Sequence, residues 1–495
     1  MRLRSARAPQ GGIVGIRRPA ISTAVAAALI GTFSVPIIAG AASAENGTAT
    51  VREDFNGDGY EDVAIAAPLA KVAGHTKAGY VAISYGSADG LKPARTTVIS
   101  QDTPGVPGPA ADDAAFGYLM TAGDLDGDGL TDLALVAHGY RSEDNTSGSV
   151  IILWGRKSGI SGQDAVRVPA PSGATVGDDL TAGDFDGDGH LDLFMSRNEE
   201  YDDHDVLYGP FDRDGSPARE QTLTVYSTDN FINTTAAGDF NGDGIEDLAT
   251  FYVYEDHAEG GKLWLGTPQG LSTVPQRLPS AASTAVGDFD QDGYADLATR
   301  LYLDNDTETE DSGTVRIYYG SPAGPSQTRT QTITQNTAGV PGVDEVGDAF
   351  GRRMSTGDVN GDGYPDLAVG VPGEAIGTRD EAGSVVLLKG GKNGLTGTGA
   401  QAFHQDTAGV PGVVEAGDRF GWAVRLLDMT GDGKADLVAG APGEDLGLVV
   451  DGGAAWLLPG TAGGLTATGS VTLNPMDLGA PATQAEFGYD LDKDN

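Results

Sequence analysis

One nine-residue pattern, Asp-x-Asx-x-Asp-Gly-x-x-Asp, recurs seven times along the 495 residues, and this repetition restricts the fold more than any other feature. The copies begin at Asp54, Asp124, Asp184, Asp239, Asp288, Asp358 and Asp428, at spacings of 70, 60, 55, 49, 70 and 70 residues. Units of that length hold about four short strands with their turns. With 75 glycines and 25 prolines the chain is rich in turns, which favours an all-β protein.

The spacing inside the pattern is that of a calcium loop. Calcium takes six to eight hard oxygens at flexible angles. Oxygens at positions 1, 3 and 5 converge only if the chain curls tightly, and position 6 is Gly in every copy. Position 7 is expected to give a backbone carbonyl, so its side chain is free to vary, and Asp at position 9 closes the shell. The expected ligands of the first four loops are Asp54, Asn56, Asp58, Tyr60 and Asp62; Asp124, Asp126, Asp128, Leu130 and Asp132; Asp184, Asp186, Asp188, His190 and Asp192; and Asp239, Asn241, Asp243, Ile245 and Asp247. Those of the last three are Asp288, Asp290, Asp292, Tyr294 and Asp296; Asp358, Asn360, Asp362, Tyr364 and Asp366; and Asp428, Thr430, Asp432, Lys434 and Asp436. Up to seven calcium ions are therefore expected, the last site being weakened by Thr430. Gln291 replaces Gly at position 4 of the fifth loop, a place that need not ligate. The loops are not EF-hands: position 12 is apolar, as at Ile65 and Leu135, and strand-like runs rather than helices flank them. A single Asp-Gly run can be a plain hairpin turn; seven aligned copies argue for metal.

Each loop is followed by a strand such as Val63-Ala-Ile-Ala, then by another ending in Gly, as in Tyr80 to Gly86 and Val150 to Gly155, and then by a fourth segment such as Gln331-Thr-Ile-Thr. Tyr85, Trp154, Tyr208 and Tyr319 precede the closing Gly; packing against the next unit is expected of them in preference to sugar stacking. Near-identical links begin at Gln101, Gln335 and Gln405 and lead into Phe116-Gly117, Phe350-Gly351 and Phe420-Gly421. The first loop lacks such a Phe-Gly strand before it. Phe487-Gly488-Tyr489-Asp490-Leu491 has no loop after it, so the C-terminal strand is expected to insert into the first unit and close a ring.

Composition excludes other chemistries. Asp plus Glu number 71 against 31 Lys plus Arg, a net charge of −40, which argues against nucleic acid and anionic lipid as partners. There is no cysteine, so disulfides, thiolate zinc sites and iron–sulfur clusters are out. The six histidines show no zincin spacing, and no G-x-S-x-G elbow occurs. Arg2, Arg4, Arg7, Arg17 and Arg18 precede an apolar run from Ala20 to Ala39 and an Ala42-Ser43-Ala44 exit, the pattern of a signal peptide over 1–44 cleaved after Ala44. Sec and twin-arginine export both remain open. The expected product is a secreted propeller over 45–495 with no membrane insertion.

The Phe-Gly strands, the calcium loops and the ends Ala66-Ala67-Pro68, Gly370-Val371-Pro372 and Gly440-Ala441-Pro442 resemble the FG-GAP repeats of the integrin α-subunit head. The match covers essentially all of 46–495, with Phe-Gly missing before loops three to five and Gly-Ala-Pro missing in blades two to four. The resemblance implies a seven-bladed β-propeller with four-stranded blades, of a free-standing, secreted bacterial type. It further implies that protein ligands are recognised on the face opposite the calcium loops, by Leu69 to Ala78, Leu303 to Ser312, Gly373 to Ala382 and Gly443 to Gly453. The acidic stretch Asp304 to Asp311 reads first as a solvated loop and second as a match for a basic partner. The function expected is a monomeric, calcium-binding, adhesion-type module for an extracellular protein or cell-surface glycan, without catalysis. A carbohydrate-binding propeller and a hydrolase with a site on the propeller stand as alternatives.

Overall fold

A computed structural model describes residues 53–137, 148–169, 176–197, 203–224, 231–254, 257–301 and 312–492. They belong to one compact unit, Val51–Asn495; a second unit, Met1–Thr50, with the expected signal and cleavage point, lies outside the described residues, as does Asp304 to Asp311.

The chain forms seven antiparallel blades, as the repeats predicted. Blade two shows the plan: Met120–Gly123, Asp132–Ala137, Ser149–Leu153 and Val166–Arg167 pair in chain order, with the nine-residue loop between the first two. Strand direction therefore puts every such loop, and the turn between third and fourth strands, at one end of the blade. The loops between second and third strands and the links between blades lie at the other. Second and third strands are covered on both faces by neighbouring blades, so they read as continuous apolar runs: Val63–Ala67 and Asp132–Ala137 are buried throughout. Outer strands such as Arg219–Thr224 are mostly exposed. The core is accordingly a series of clusters between blades, as where Phe116, Leu133 and Ile151 pack with Ile83 and Ile99.

Blade one has three regular strands, Val63–Ala67, Tyr80–Ser84 and Thr96–Ile99. Its inner place is taken by the C-terminal segment. Leu491 bridges Ile65, Ala66 N donates to Asp490 O at 2.9 Å, and Gly488 N donates to Ala66 O at 2.9 Å. Phe487 is fully buried and lies beside Gly453 in the same parallel bridge that Phe420 makes with Gly383. The ring closes in the expected way.

Neighbouring inner strands are joined by hydroxyls. Ala182 N donates to Thr121 Oγ1 at 3.3 Å, Thr181 and Thr235 share a hydrogen bond, Thr284 Oγ1 donates to Thr235 O at 2.9 Å, Thr356 Oγ1 to Val286 O at 2.7 Å, and Leu426 N to Ser355 Oγ at 2.9 Å. Between blades seven and one an ionic group takes over: buried Arg425 pairs with Glu53 and, at 3.6 Å, with Asp492.

Candidate metal centres

The seven loops share one geometry. Asp at position 1 bends the chain around itself: its Oδ2 accepts from the position-6 Gly N at 2.7–3.0 Å in all seven, and its Oδ1 from the position-5 N. Gly59 carries the turn with φ +88°, a conformation side chains disfavour. The position-5 carboxylate accepts from the position-7 N, as from Tyr60 at 3.2 Å and His190 at 2.9 Å. Position-7 side chains also seat each loop on its neighbour. Leu130 lies over Gly57 and Ile245 over Gly187, and Tyr60 covers Gly431 across the ring closure, which leaves no room for a side chain at position 4 of those three loops.

Position 9 does more than the spacing suggested. Asp62 Oδ2 accepts from Phe55 N at 2.9 Å, and its Oδ1 accepts from Gly86 N, the Gly that ends the third strand. The same bond to the closing Gly recurs at 2.7–2.9 Å for Asp132, Asp192, Asp247, Asp296, Asp366 and Asp436. These seven carboxylates are fully buried. Burial, helped by neighbouring carboxylates, pushes Asp62, Asp132 and Asp192 up to about 8, Asp247 and Asp296 to about 7, and Asp366 and Asp436 to about 6. A cation held there would offset that cost and keep the carboxylate charged.

Carboxylate oxygens come within 4.8 Å of one another in Asp54–Asp58–Asp62, Asp124–Asp126–Asp132, Asp184–Asp186–Asp192 and Asp288–Asp290–Asp296. Loop one converges through positions 1, 5 and 9 with Asn56 at position 3, whereas loops two, three and five converge through positions 1, 3 and 9. The donor set fits a divalent cation on a second ground: Asp186 Oδ1, Asp247 Oδ2 and Asp290 Oδ1 are buried without a protein partner. A buried carboxylate oxygen with nothing to bind is costly, and a hard cation is the natural occupant. In the seventh loop Thr430 N donates to Asp436 Oδ2 at 3.0 Å, where position 2 donates in loop one. Sequence reasoning missed four arginines set against these loops: Arg95, Arg213, Arg219 and Arg329.

The aromatics before the closing glycines are packing residues, as expected. Tyr85, Trp154, Tyr208 and Tyr319 are buried, and Tyr208 Oη accepts from Leu271 N of the next blade at 2.8 Å. At the opposite end, Val343, Val346 and Val413 of the links and Leu448 and Val450 of blade seven stand exposed, Leu448 fully. Carboxylates Asp344, Glu345, Asp380, Glu381, Glu415, Asp445 and Asp451 belong to the same links and loops. Beneath them Gln335 Nε2 donates to Glu374 Oε2 at 2.6 Å, and Gln405 Nε2 to Glu444 Oε2 at 2.5 Å.

A family model described as FG-GAP repeat matches residues 46–84, 231–265, 280–318, 350–388 and 420–458, and one described as FG-GAP-like repeat matches 124–195. Phosphatidylinositol-glycan-specific phospholipase D of Bos taurus is 32% identical over 143 residues, 29% of this chain and 16% of that protein. Integrin alpha-PS2 of Drosophila melanogaster is 28% identical over 277 residues, 52% of this chain and 15% of that protein. Integrin alpha-E of Mus musculus is 32% identical over 121 residues, 24% of this chain and 10% of that protein. The chain thus spans about a sixth or less of the length of these relatives.

Proposed function

The chain belongs to the FG-GAP repeat family and folds as an integrin-α-like seven-bladed propeller, and from that premise we propose that it is a secreted, calcium-stabilised module that binds a protein ligand on the face opposite its calcium loops. The observation that carries the calcium reading is the convergence of carboxylates around buried oxygens that have no protein partner. Each loop offers its position-1, -3, -5 and -9 oxygens to the ion, and the ion supplies positive charge among carboxylates that otherwise repel. At about ten times its dissociation constant an ion adds about 1.4 kcal/mol per site. Seven such sites add roughly 10 kcal/mol, the scale of a whole domain's stability. Metal thereby does for this cysteine-free chain what disulfides do for many exported ones.

Ligand binding is supported by the exposed apolar residues at the link end, where Leu448, Val450 and Val413 stand in loops rich in carboxylate. A partner with basic and apolar groups fits that surface better than a bare glycan. The test has two arms. Excess chelator should lower the melting temperature by tens of degrees, and an unchanged melt refutes the calcium reading. Leu448→Ser with Val450→Ser should abolish capture of the partner that wild type retains from the secreted proteome, without changing the melt. Binding on a glycan array that survives these changes favours the carbohydrate reading.

A further inference from the structure

Loops two, three and five carry Asp at position 3, and in each of them that aspartate holds a guanidinium. Arg213 Nε lies 2.5 Å from Asp126 Oδ2, Arg219 Nη2 lies 2.6 Å from Asp186 Oδ2, and Arg329 contacts Asp290 Oδ2. The other four loops have Asn56, Asn241, Asn360 or Thr430 there, and among the described residues none of these is met by an arginine. Contact with position 5 does not sort the loops in this way: Arg95 meets Asp58 and Lys434 meets Asp432 in loops whose position 3 is neutral. Among the described residues every aspartate at position 3 is met by an arginine.

They reach it by two routes. Arg219 and Arg329 stand at the same place, opposite the tyrosine that ends the third strand of their own blade: Arg219 pairs with Tyr208, and Tyr319 N donates to Arg329 O at 3.2 Å. Arg95 holds that place in blade one, where position 3 is Asn56 and the arginine meets Asp58. Arg213 comes from the turn of blade three and crosses to the loop of blade two. Each guanidinium lies over the aromatic that ends a third strand: 4.7 Å from the Trp154 ring centre, 3.4 Å from Tyr208 and 4.5 Å from Tyr319. Two separate routes lead to this contact, one from a recurring place opposite the closing aromatic and one across blades from Arg213. The two oxygens of the aspartate divide the work. Oδ2 is on the arginine, while Oδ1 of Asp186 and of Asp290 is buried and unpartnered, open to an ion.

We propose that Arg213, Arg219 and Arg329 tune ion binding at loops two, three and five by neutralising the extra position-3 carboxylate, so that each behaves as an Asn loop does. Outer groups that hold a ligand orient it and set its charge. In the ion-free loop the arginine relieves repulsion among four aspartates; in the loaded loop it stays on Oδ2 and limits affinity. The inference rests on the calcium reading above, and its test separates the two.

The full chain is stripped with chelator and titrated calorimetrically with calcium, as wild type, Arg329→Gln, Asp290→Asn and the double variant. Arg329→Gln should tighten one site about tenfold, because a unit positive charge beside a divalent ion is removed. The gain should shrink as salt rises. Its melt should fall below wild type in chelator and match it in saturating calcium. Asp290→Asn should weaken the same site about tenfold, and the double variant should return to within about twofold of wild type. Arg219→Gln with Asp186→Asn gives an independent pair if either loop-five variant folds poorly. Equal melting losses with and without calcium, or unchanged or weakened affinity in Arg329→Gln, would mean that the arginine only stacks on Tyr319 and would overturn the inference. Wild type that takes up no calcium refutes the reading on which it rests and this inference with it.

Discussion

The junction between blades seven and one is built differently from the junctions between blades two and seven. There, inner strands arrive in chain order and a Thr or Ser hydroxyl is enough to tie each to the next. Neutral hydroxyl bonds of this kind are worth about 1 kcal/mol each, and they are repeated around the ring. At the closure, two chain ends that no covalent segment joins must be held in register. Arg425 stands three residues before its loop, where Thr121, Thr181 and Ser355 stand before theirs, and it gathers Glu53 from one end and Asp492 from the other. A buried ion pair adds little net stability but is intolerant of a missing partner, which suits a contact that must be made in one way only. Local order in the chain permits a weak link; the meeting of distant ends calls for a specific one.

The largest test of this contrast is removal of Glu486 to Asn495. The deletion takes away fully buried Phe487, worth about 3–5 kcal/mol alone, and bares the edge of Val63–Ala67. The shortened protein is expected to melt far lower or precipitate even in saturating calcium; a wild-type melt would show that the ring does not need the closing strand. Next comes Arg425→Ala, which strands Glu53 and Asp492 and should cost about 3–5 kcal/mol in urea unfolding. Adding Glu53→Gln and Asp492→Asn should recover much of that loss; a triple variant as unstable as the single one would show that packing, not charge, is at stake.

A pH series sharpens the comparison at the link end. The link into blade seven carries Glu415 and Asp418, and the closing segment has Ala482 and Ala485 in the matching places. Burial pushes Asp418 up to about 6 and Glu444 to about 7, with Gln405, Glu415 and Asp445 facing them. Folded values above the ordinary ones mean that the folded state favours the protonated form. The stabilisation is therefore complete below about pH 4 and lost as pH rises through 6 and 7. Hydrogen exchange corrected for intrinsic rate should show the Gly443 amide losing protection between pH 5 and 8, while Gly488 and Ala66 keep theirs. Parallel loss at both places would remove the distinction. The smallest effect is expected from Thr235→Val, about 1 kcal/mol, since one hydroxyl link among several is lost; a loss as large as that of Arg425→Ala would make the two kinds of junction equivalent.

The blade count, the loops and the closing strand were legible because each rests on short-range signals. The Asp-Gly spacing fixes a local curl, and Phe487-Gly488 repeats Phe116-Gly117 residue for residue. Blades three to five fold alike without Phe-Gly, and second strands such as Asp192–Arg197 are as buried there as in the other blades. What escaped reading depends on distance along the chain. Arg213 meets Asp128 from 85 residues away, and Asp62 meets Gly86 through a backbone N–H, which leaves no mark on side-chain identity. Arg425 looked like any other basic residue, since nothing near it in the chain announces two buried acids from the far ends.

The hydrogen bond from Ala64 N to Asp492 Oδ2, at 3.2 Å, joins residues separated by 428 positions. During synthesis at roughly 5–20 residues per second, the first blade therefore waits on the order of half a minute or more for its fourth strand. Six later blades can assemble as they emerge, each completed by residues close behind it. The first blade is thus finished after the other six, and until then its open edge must be kept from pairing elsewhere.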